Sequence, residues 1–334
     1  MSDWNDLFVR TSLSETSPEG RVGGLSSPDI IPYGIIPVDP STFTSDDSYK
    51  NFVSTVPFQQ GQPNYIYVRA KNSSPTTAAK GQAFLVLTNP AVVLWPGGDG
   101  WTQILTNNGL AYSSLDPSPT GSGAIAVTTD PFVYKPLDSG HRCLVTWLST
   151  QAHPVPAPPP RITDMNALVK FLIDHPNYAH HNIDIAPDTT GAVTTTKPFN
   201  SGTQPFSWRV GLQVTNCKGF DVSFSSSEPL EGGGYITMKP VTVQQDDTIA
   251  YLLGPFNLPA SWDTQINYTY QTHGLSKDNF SVTLVAYFDV DPTHELWHHA
   301  KPYTELGIPA QHAPKDRRGI TVGSVAMMKG VTDQ

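Results

Sequence analysis

Strict alternation of apolar and polar residues is the dominant pattern of this chain. Phe206, Trp208, Val210, Leu212 and Val214 fall on one side of an extended segment, and Ser207, Arg209, Gly211 and Gln213 on the other. A period of two is that of a half-buried β-strand. Phe220, Val222 and Phe224 repeat it, as do residues 235–238 and Ile266, Tyr268 and Tyr270. Phe280, Val282, Leu284, Ala286 and Phe288 carry it over nine residues, and Val285 and Tyr287 opposite them predict a strand covered on both faces. Upstream, residues 65–70, 83–87, 92–95 and 141–148 read as strands separated by clusters such as Asn72-Ser73-Ser74-Pro75 and Pro96-Gly97-Gly98-Asp99-Gly100. About seven strands follow residue 160, the number a sandwich domain needs.

One segment has a convincing helical period. Met165, Leu168, Val169 and Leu172 stand at i, i+3, i+4 and i+7, with Thr163 or Asp164 as N-cap and Pro176 as the stop. Its apolar stripe must pack on a sheet. Residues 152–160 hold five prolines in nine positions, an extended linker poor in backbone donors. Residues 1–35 show little periodicity beyond a short strand at 7–10 and read as an arm lying against a domain. The tail from Lys301 reads as an irregular segment that wraps the domain or docks on another subunit of a homo-oligomer. The pattern thus predicts an all-β chain of two antiparallel β-sandwiches: an N-terminal arm (1–35), a first sandwich (36–150), a Pro-rich linker and helix (151–194), a second sandwich (195–292) and a C-terminal segment (293–334).

Composition narrows the partners. The chain has 334 residues with 31 Pro and 26 Gly, and 15% of residues are charged, against roughly 25% in an average soluble domain. That suits many short elements with a Ser/Thr/Asn/Gln surface. The formal charge is −9, and the one basic run is Lys315-Asp316-Arg317-Arg318, which excludes nucleic acid and anionic membrane as general partners. No apolar stretch has the length of a transmembrane helix. The start, residues 1–6, lacks the basic and apolar regions of a signal peptide, so the expected location is the cytoplasm or an exterior reached by a non-Sec route. Cys143 and Cys217 have no metal-site or disulfide spacing and read as small buried hydrophobes.

The segment Ser27-Pro28-Asp29-Ile30-Ile31-Pro32, the strand Asn64-Tyr65-Ile66-Tyr67-Val68-Arg69-Ala70-Lys71-Asn72 and the later Leu94-Trp95-Pro96 resemble the start of a bacterial cell-adhesion-related domain. The resemblance spans roughly residues 27–96. It implies an immunoglobulin-like sandwich that presents or spaces something else, and it carries no catalytic residue. With it, the fold expectation becomes two immunoglobulin-like sandwiches with one short helix between them.

His294-Glu295-Leu296-Trp297-His298 has the H-E-x-x-H spacing. On a helix beginning at Asp291 and Pro292, both imidazoles share a face where they can hold zinc, with Glu295 as general base on the metal-bound water. The third ligand is missing from the usual position, leaving His312 or Glu305. Other groups read as structural. His180 and His181 on a strand point to opposite faces; Asp46, Asp47, Asp289 and Asp291 read as solvated turn carboxylates, without the ligand spacing of a calcium loop; Gly232-Gly233-Gly234 precedes a strand and cradles no phosphate. No G-x-S-x-G elbow occurs. Trp95, Trp101, Tyr112 and Tyr134 lie near turns, and the first three are candidates for stacking on a sugar or anchoring a protein. Two functions follow. The first is a non-enzymatic binding or structural module, an adhesin or secreted toxin component, whose loops meet a protein or glycan partner and which needs no cofactor. The alternative is a zinc-dependent hydrolase using Glu295, His294, His298 and His312.

Overall fold

The structure, a computed structural model, describes residues 4–329 apart from 53, 55–57, 76–79, 89–94, 117–122, 138–139, 156–157, 186–191, 276 and 278–279. In chain order the elements are β1 (Leu7–Phe8), β2 (Ile30–Pro32), α1 (Asp46–Asn51), β3 (Asn64–Asn72), β4 (Gly81–Thr88), β5 (Thr102–Gln103), β6 (Tyr112–Leu115), β7 (Ile125–Val127), β8 (Phe132–Tyr134) and β9 (Gly140–Thr150). After α2 (Met165–Asp174) come β10 (Tyr178–Ile185), β11 (Ala192–Asn200), β12 (Phe206–Thr215), β13 (Asp221–Ser226), β14 (Thr237–Thr242), β15 (Ile249–Leu258), β16 (Asp263–Gln271), β17 (Phe280–Val290), β18 (Lys301–Pro302) and β19 (Arg318–Lys329). No helix among the described residues is long and apolar enough to cross a membrane.

The chain is all-β, and its strands pair antiparallel in two sandwiches. In the first, β3 lies between β1 and β2 on one edge and β7 and β8 on the other. Facing it is the sheet β10-β9-β4, extended beyond β4 by β5 and β6. Alternation fills the space between: Ile66, Val68 and Ala70 meet Ala83, Leu85, Leu87, Leu144 and Leu148. The second sandwich stacks β11-β16-β13-β14 on β15-β12-β17-β19-β18. Its core takes the inward row of β12, Trp208, Val210, Leu212 and Val214, as the alternation predicts.

Two segments differ from expectation. The arm lies against the first sandwich and also supplies it with two short strands, β1 and β2. The tail is not irregular: β19 pairs with β17 from Lys329 to Arg318, because Ile320 and Val322 reach the core while β17 needs a partner on that edge. The expected strand at 92–95 lies outside the described residues except for Trp95, which makes an isolated bridge to Ile162. The Pro-rich stretch packs along the first sandwich, where the Val155 and Pro159 carbonyls accept from the indoles of Trp147 and Trp101.

The helix forms where its period places it. Asp164 accepts from the Ala167 N–H at 2.8 Å as N-cap, and Met165, Leu168, Val169, Leu172 and Ile173 are buried, each worth about 2 kcal/mol of apolar transfer. This stripe covers the outer face of β4, β9 and β10, touching Val86, Val145, Trp147 and Tyr178, and belongs to the same continuous core as the second sandwich. The two sandwiches are therefore fused through α2.

The segment that carries the adhesion-type resemblance has a physical reason for its sequence. Asp29 is fully buried and binds two guanidinium groups: Oδ1 accepts from Arg10 at 2.7 Å and from Arg69 at 2.8 Å, and Oδ2 from Arg10 Nε at 3.0 Å. Remaining donors reach the carbonyls of Tyr49, Ser48 and Pro28. Burial works to raise the Asp29 pKa, but Arg10 and Arg69 outweigh it and hold the carboxyl below its usual range. The two asparagines of the motif close the turns at either end of β3, Asn64 on the Gln59 amide and Asn72 on the Ser74 N–H.

Removing the anion strands two buried cations, whereas removing one cation leaves a neutral pair. Asp29→Asn is expected to cost about 4 kcal/mol, and Arg69→Met clearly less. Urea unfolding of both variants checks this, and an equal or reversed order contradicts the network.

Candidate functional site

Of the residues singled out by motif, His294 and Glu295 are engaged in local packing and pairing, whereas His298 is exposed. His294-Glu295-x-x-His298 does not form a helix; residues 291–299 are a run of turns. The reason is local: the Asp291 carboxylate accepts from the Thr293 N–H at 2.8 Å and from its hydroxyl at 2.6 Å, and His294 Nδ1 accepts from the Leu296 N–H at 3.1 Å. These bonds divert backbone donors from a helix. Glu295 is bound to Lys170 at 2.7 Å and to Asn166 at 3.0 Å, both on α2, and these partners hold its carboxyl below the usual range. The ring of His294 packs on Phe206 and Phe288, His299 donates to the Arg21 carbonyl, and His298 is exposed. His312 lies at the edge of β15, beside Tyr251 and Pro309. Among the described residues no group of three or more His, Cys, Asp or Glu side chains could hold a metal ion. The motif segment acts instead as a bracket from the end of β17 to α2 and the arm.

The aromatic candidates separate. Trp95 is 1% exposed, too buried to stack on a ligand. Its indole N–H donates to His180 Nδ1 at 3.0 Å, and Trp101 packs edge-on against it. Tyr112 is exposed at a sheet edge, beside Phe84. Asp289, expected in solvent, is buried under Arg209 (2.8 Å) and the Tyr303 hydroxyl (2.7 Å). Both thiols are buried, and burial pushes each up to about 12.

A cavity of about 350 Å³ opens where the arm, β10 and the outer face of the second sandwich meet. This is the lower end of ligand-site sizes, in a place where such sites concentrate. The arm contributes Thr11, Ser12, Leu13 and Gly24; β10 contributes His181 and Asn182. The far wall is β17, with Ser281, Thr283, Val285 and Tyr287, flanked by Gln213 of β12 and Thr321 of β19. Leu306 closes one side. Among the described residues no Asp, Glu, Lys or Arg lines the cavity.

The walls are held by backbone contacts. Leu25 N–H donates to the Thr321 carbonyl at 2.9 Å, and Ser27 N–H to the His180 carbonyl at 2.8 Å. Gly24 permits this approach, since a Cβ there would stand 3.0 Å from the Thr11 carbonyl oxygen. His181 Nδ1 donates to the Ser27 carbonyl at 2.7 Å. Burial lowers His181 to about 4, so at neutral pH its Nε2 is an acceptor. Burial raises Tyr287, so its phenol keeps its proton. Gln213 uses its amide N–H on Leu306, leaving the oxygen as acceptor. The β17 residues escaped the sequence reading because they sit at every second position of an ordinary strand, with Val285 and Tyr287 on its outer side as the one signal, and His181 reads there as structural.

No protein-family model matches the chain, and no curated protein matches it. Solved structures with some likeness include red sea bream transglutaminase, at 7% identity over 86% of this chain and TM-score 0.22, of which this chain spans only 33%. Others are the CupB6 tip adhesin of Pseudomonas aeruginosa (8% identity, 81% of this chain and 90% of that one, TM-score 0.16) and the enterotoxigenic E. coli adhesin CfaE (7%, 100% and 89%, 0.19). Likeness at this level carries no argument, and the β-sandwich class rests on the chain's own strands.

The pair beside the cavity titrates. His180 is 0% exposed, accepts from Trp95 at Nδ1 and donates from Nε2 to Asn182 Oδ1 at 2.9 Å. Burial lowers its pKa to about 4. A pKa below the unfolded value of about 6.5 gives stability that is complete above pH ~6.5 and is lost as pH falls toward 4. Protonation would also set a second N–H against the indole N–H. The wild type is expected to lose on the order of 3 kcal/mol through His180 over that interval, and His180→Gln, which keeps an acceptor and a donor, to show a flatter profile by chemical denaturation at stepped pH. Parallel profiles contradict the assignment.

A second outcome concerns metal. Protein purified without a histidine tag, incubated with zinc and desalted, is expected to hold well under one zinc per chain, unchanged by His294→Ala/His298→Ala. Elemental mass spectrometry checks it, and stoichiometric zinc lost in the variant overturns the bracket reading.

Proposed function

We propose that the chain is a non-enzymatic binding module and that the cavity between its two sandwiches is the binding surface. The observation that carries this reading is the cavity's lining: uncharged hydrogen-bonding side chains gathered from the arm and both sandwiches, of which Ser281, Thr283 and Tyr287 have no side-chain hydrogen bond among the described residues. Such a lining orients a ligand and offers no group suited to general acid-base work at neutral pH beyond a histidine whose pKa lies far below it. Engagement of Glu295 with Lys170 and Asn166 supports the same conclusion by giving the one hydrolase-like motif a packing role. The adhesion-type resemblance of residues 27–96 agrees with a protein that presents a site to a protein or glycan.

Binding of the purified chain to arrayed glycans and matrix proteins tests the reading. Thr283→Trp, which fills the cavity, is expected to abolish the signal, and Thr194→Trp, on the exposed outer face of β11, to retain it. Equal binding by both variants, or none by the wild type, overturns the proposal.

A further inference from the structure

We infer that the cavity takes a neutral saccharide. The inference rests on the binding-module reading and narrows it to a ligand class. Recognition of an acidic sugar, a phosphate or a charged peptide side chain needs a counter-charge or a helix terminus at the site, and among the described residues the lining has no Asp, Glu, Lys or Arg. A sugar ring without charged groups needs the opposite, several hydroxyl-type donors and acceptors that face one another across a small space.

The walls supply both kinds. His181 Nε2 and the Gln213 side-chain oxygen are acceptors whose opposite ends are fixed by the Ser27 and Leu306 carbonyls. Tyr287 is 2% exposed, lines the cavity, and its hydroxyl has no hydrogen-bond partner among the described residues. Ser281 and Thr283 stand on the same face of β17 as Tyr287, at alternate positions, and add two hydroxyls. Such a hydroxyl is free to donate to a ligand in the cavity. Leu13, Val285 and Leu306 give the cavity the apolar surface against which the C–H face of a sugar packs.

A peptide in extended form is the competing occupant, and the backbone argues against it. Strand addition needs an unpaired sheet edge. The outer edge of β10 beside the cavity is already taken by the arm, through the Ser26–His181 bridge and the Ser27 N–H bond to the His180 carbonyl. The opposite wall is the face of a sheet, which offers side chains and no main-chain ladder. Recognition therefore falls to side-chain hydroxyl, amide and imidazole groups, the chemistry of saccharide sites.

The test is titration of the full chain with glucose, galactose, mannose and N-acetylglucosamine, and with N-acetylneuraminic and glucuronic acids, followed by saturation-transfer NMR and calorimetry to ~10 mM. At least one neutral sugar is expected to bind, and neither acidic one. Thr283→Val and Tyr287→Phe, which remove single hydroxyls and keep shape, are expected to weaken it roughly tenfold each; Thr283→Trp is expected to abolish it. Preference for the acidic sugars, or neutral-sugar binding that Thr283→Trp leaves intact, overturns the inference. Binding only to an uncharged peptide or a protein, lost in Thr283→Trp, overturns the saccharide and keeps the binding module. No ligand in any arm overturns both.

Discussion

One buried cation ties the arm to α2 and to the start of β10. Arg21 is 0% exposed, and its guanidinium donates to four main-chain carbonyls: Leu172 at 2.8 Å, Tyr178 at 2.9 Å, Pro176 at 3.3 Å, and Val9. Leu172 is in the last turn of α2, where carbonyls have no intrahelical partner and the helix dipole is negative. Pro176 and Tyr178 lead into β10, and Val9 belongs to the arm. Burial lowers the Arg21 pKa, with Glu15 partly offsetting it, yet a guanidinium stays charged at any physiological pH. Its charge must therefore be dispersed over these carbonyl dipoles. The same residue's own carbonyl accepts from His299, so the bracket after β17 is tied to the arm at that point too.

The arm can thread so closely because of what it lacks. Gly23 has φ +72°, and a Cβ there would stand 2.7 Å from the Val169 carbonyl oxygen on α2. Val22 and Leu25 on either side join the core that α2 shares with the second sandwich. Arg10, further back, shares the Asp29 carboxylate with Arg69 of β3. A segment with no periodic pattern thus carries the charges and turns that tie the first sandwich to α2. The cavity is a by-product of that packing, since its walls come from three parts of the chain that no local folding would bring together.

This explains which features could be read from sequence. Alternation along β12, β13, β16 and β17 was legible because each strand buries one face, and burial sorts residue types by parity. The helix was legible for the same reason with a different period, and Asp164 caps it as expected. Arg21 was not, because carbonyl acceptors belong to every residue and leave no compositional trace. Trp95 reads as an exposed ring beside turns, and only the tertiary fold brings His180 to its indole N–H. The H-E-x-x-H spacing misled because i and i+4 share a face only on a helix, and Asp291 turns the chain before one can start.

The histidine pair joins stability to the site. His180 and His181 are neighbours on β10, one bonded to Trp95 on the outer face and the other to the arm at the cavity. Both are held neutral by burial, each with one nitrogen donating and one accepting. The tautomer is fixed by what each donates to, Asn182 for His180 and the Ser27 carbonyl for His181. Protonating His180 costs the hydrogen bond that holds Trp95 against β10; protonating His181 turns the acceptor at the cavity wall into a donor. Because each would lose its function in the same acid range, the cavity keeps its hydrogen-bonding character for as long as the sandwiches keep their packing. A site built on an interface is then governed by the interface itself: whatever loosens the arm from β10 removes a wall, and whatever fills the cavity adds contacts between the arm, β10 and β17.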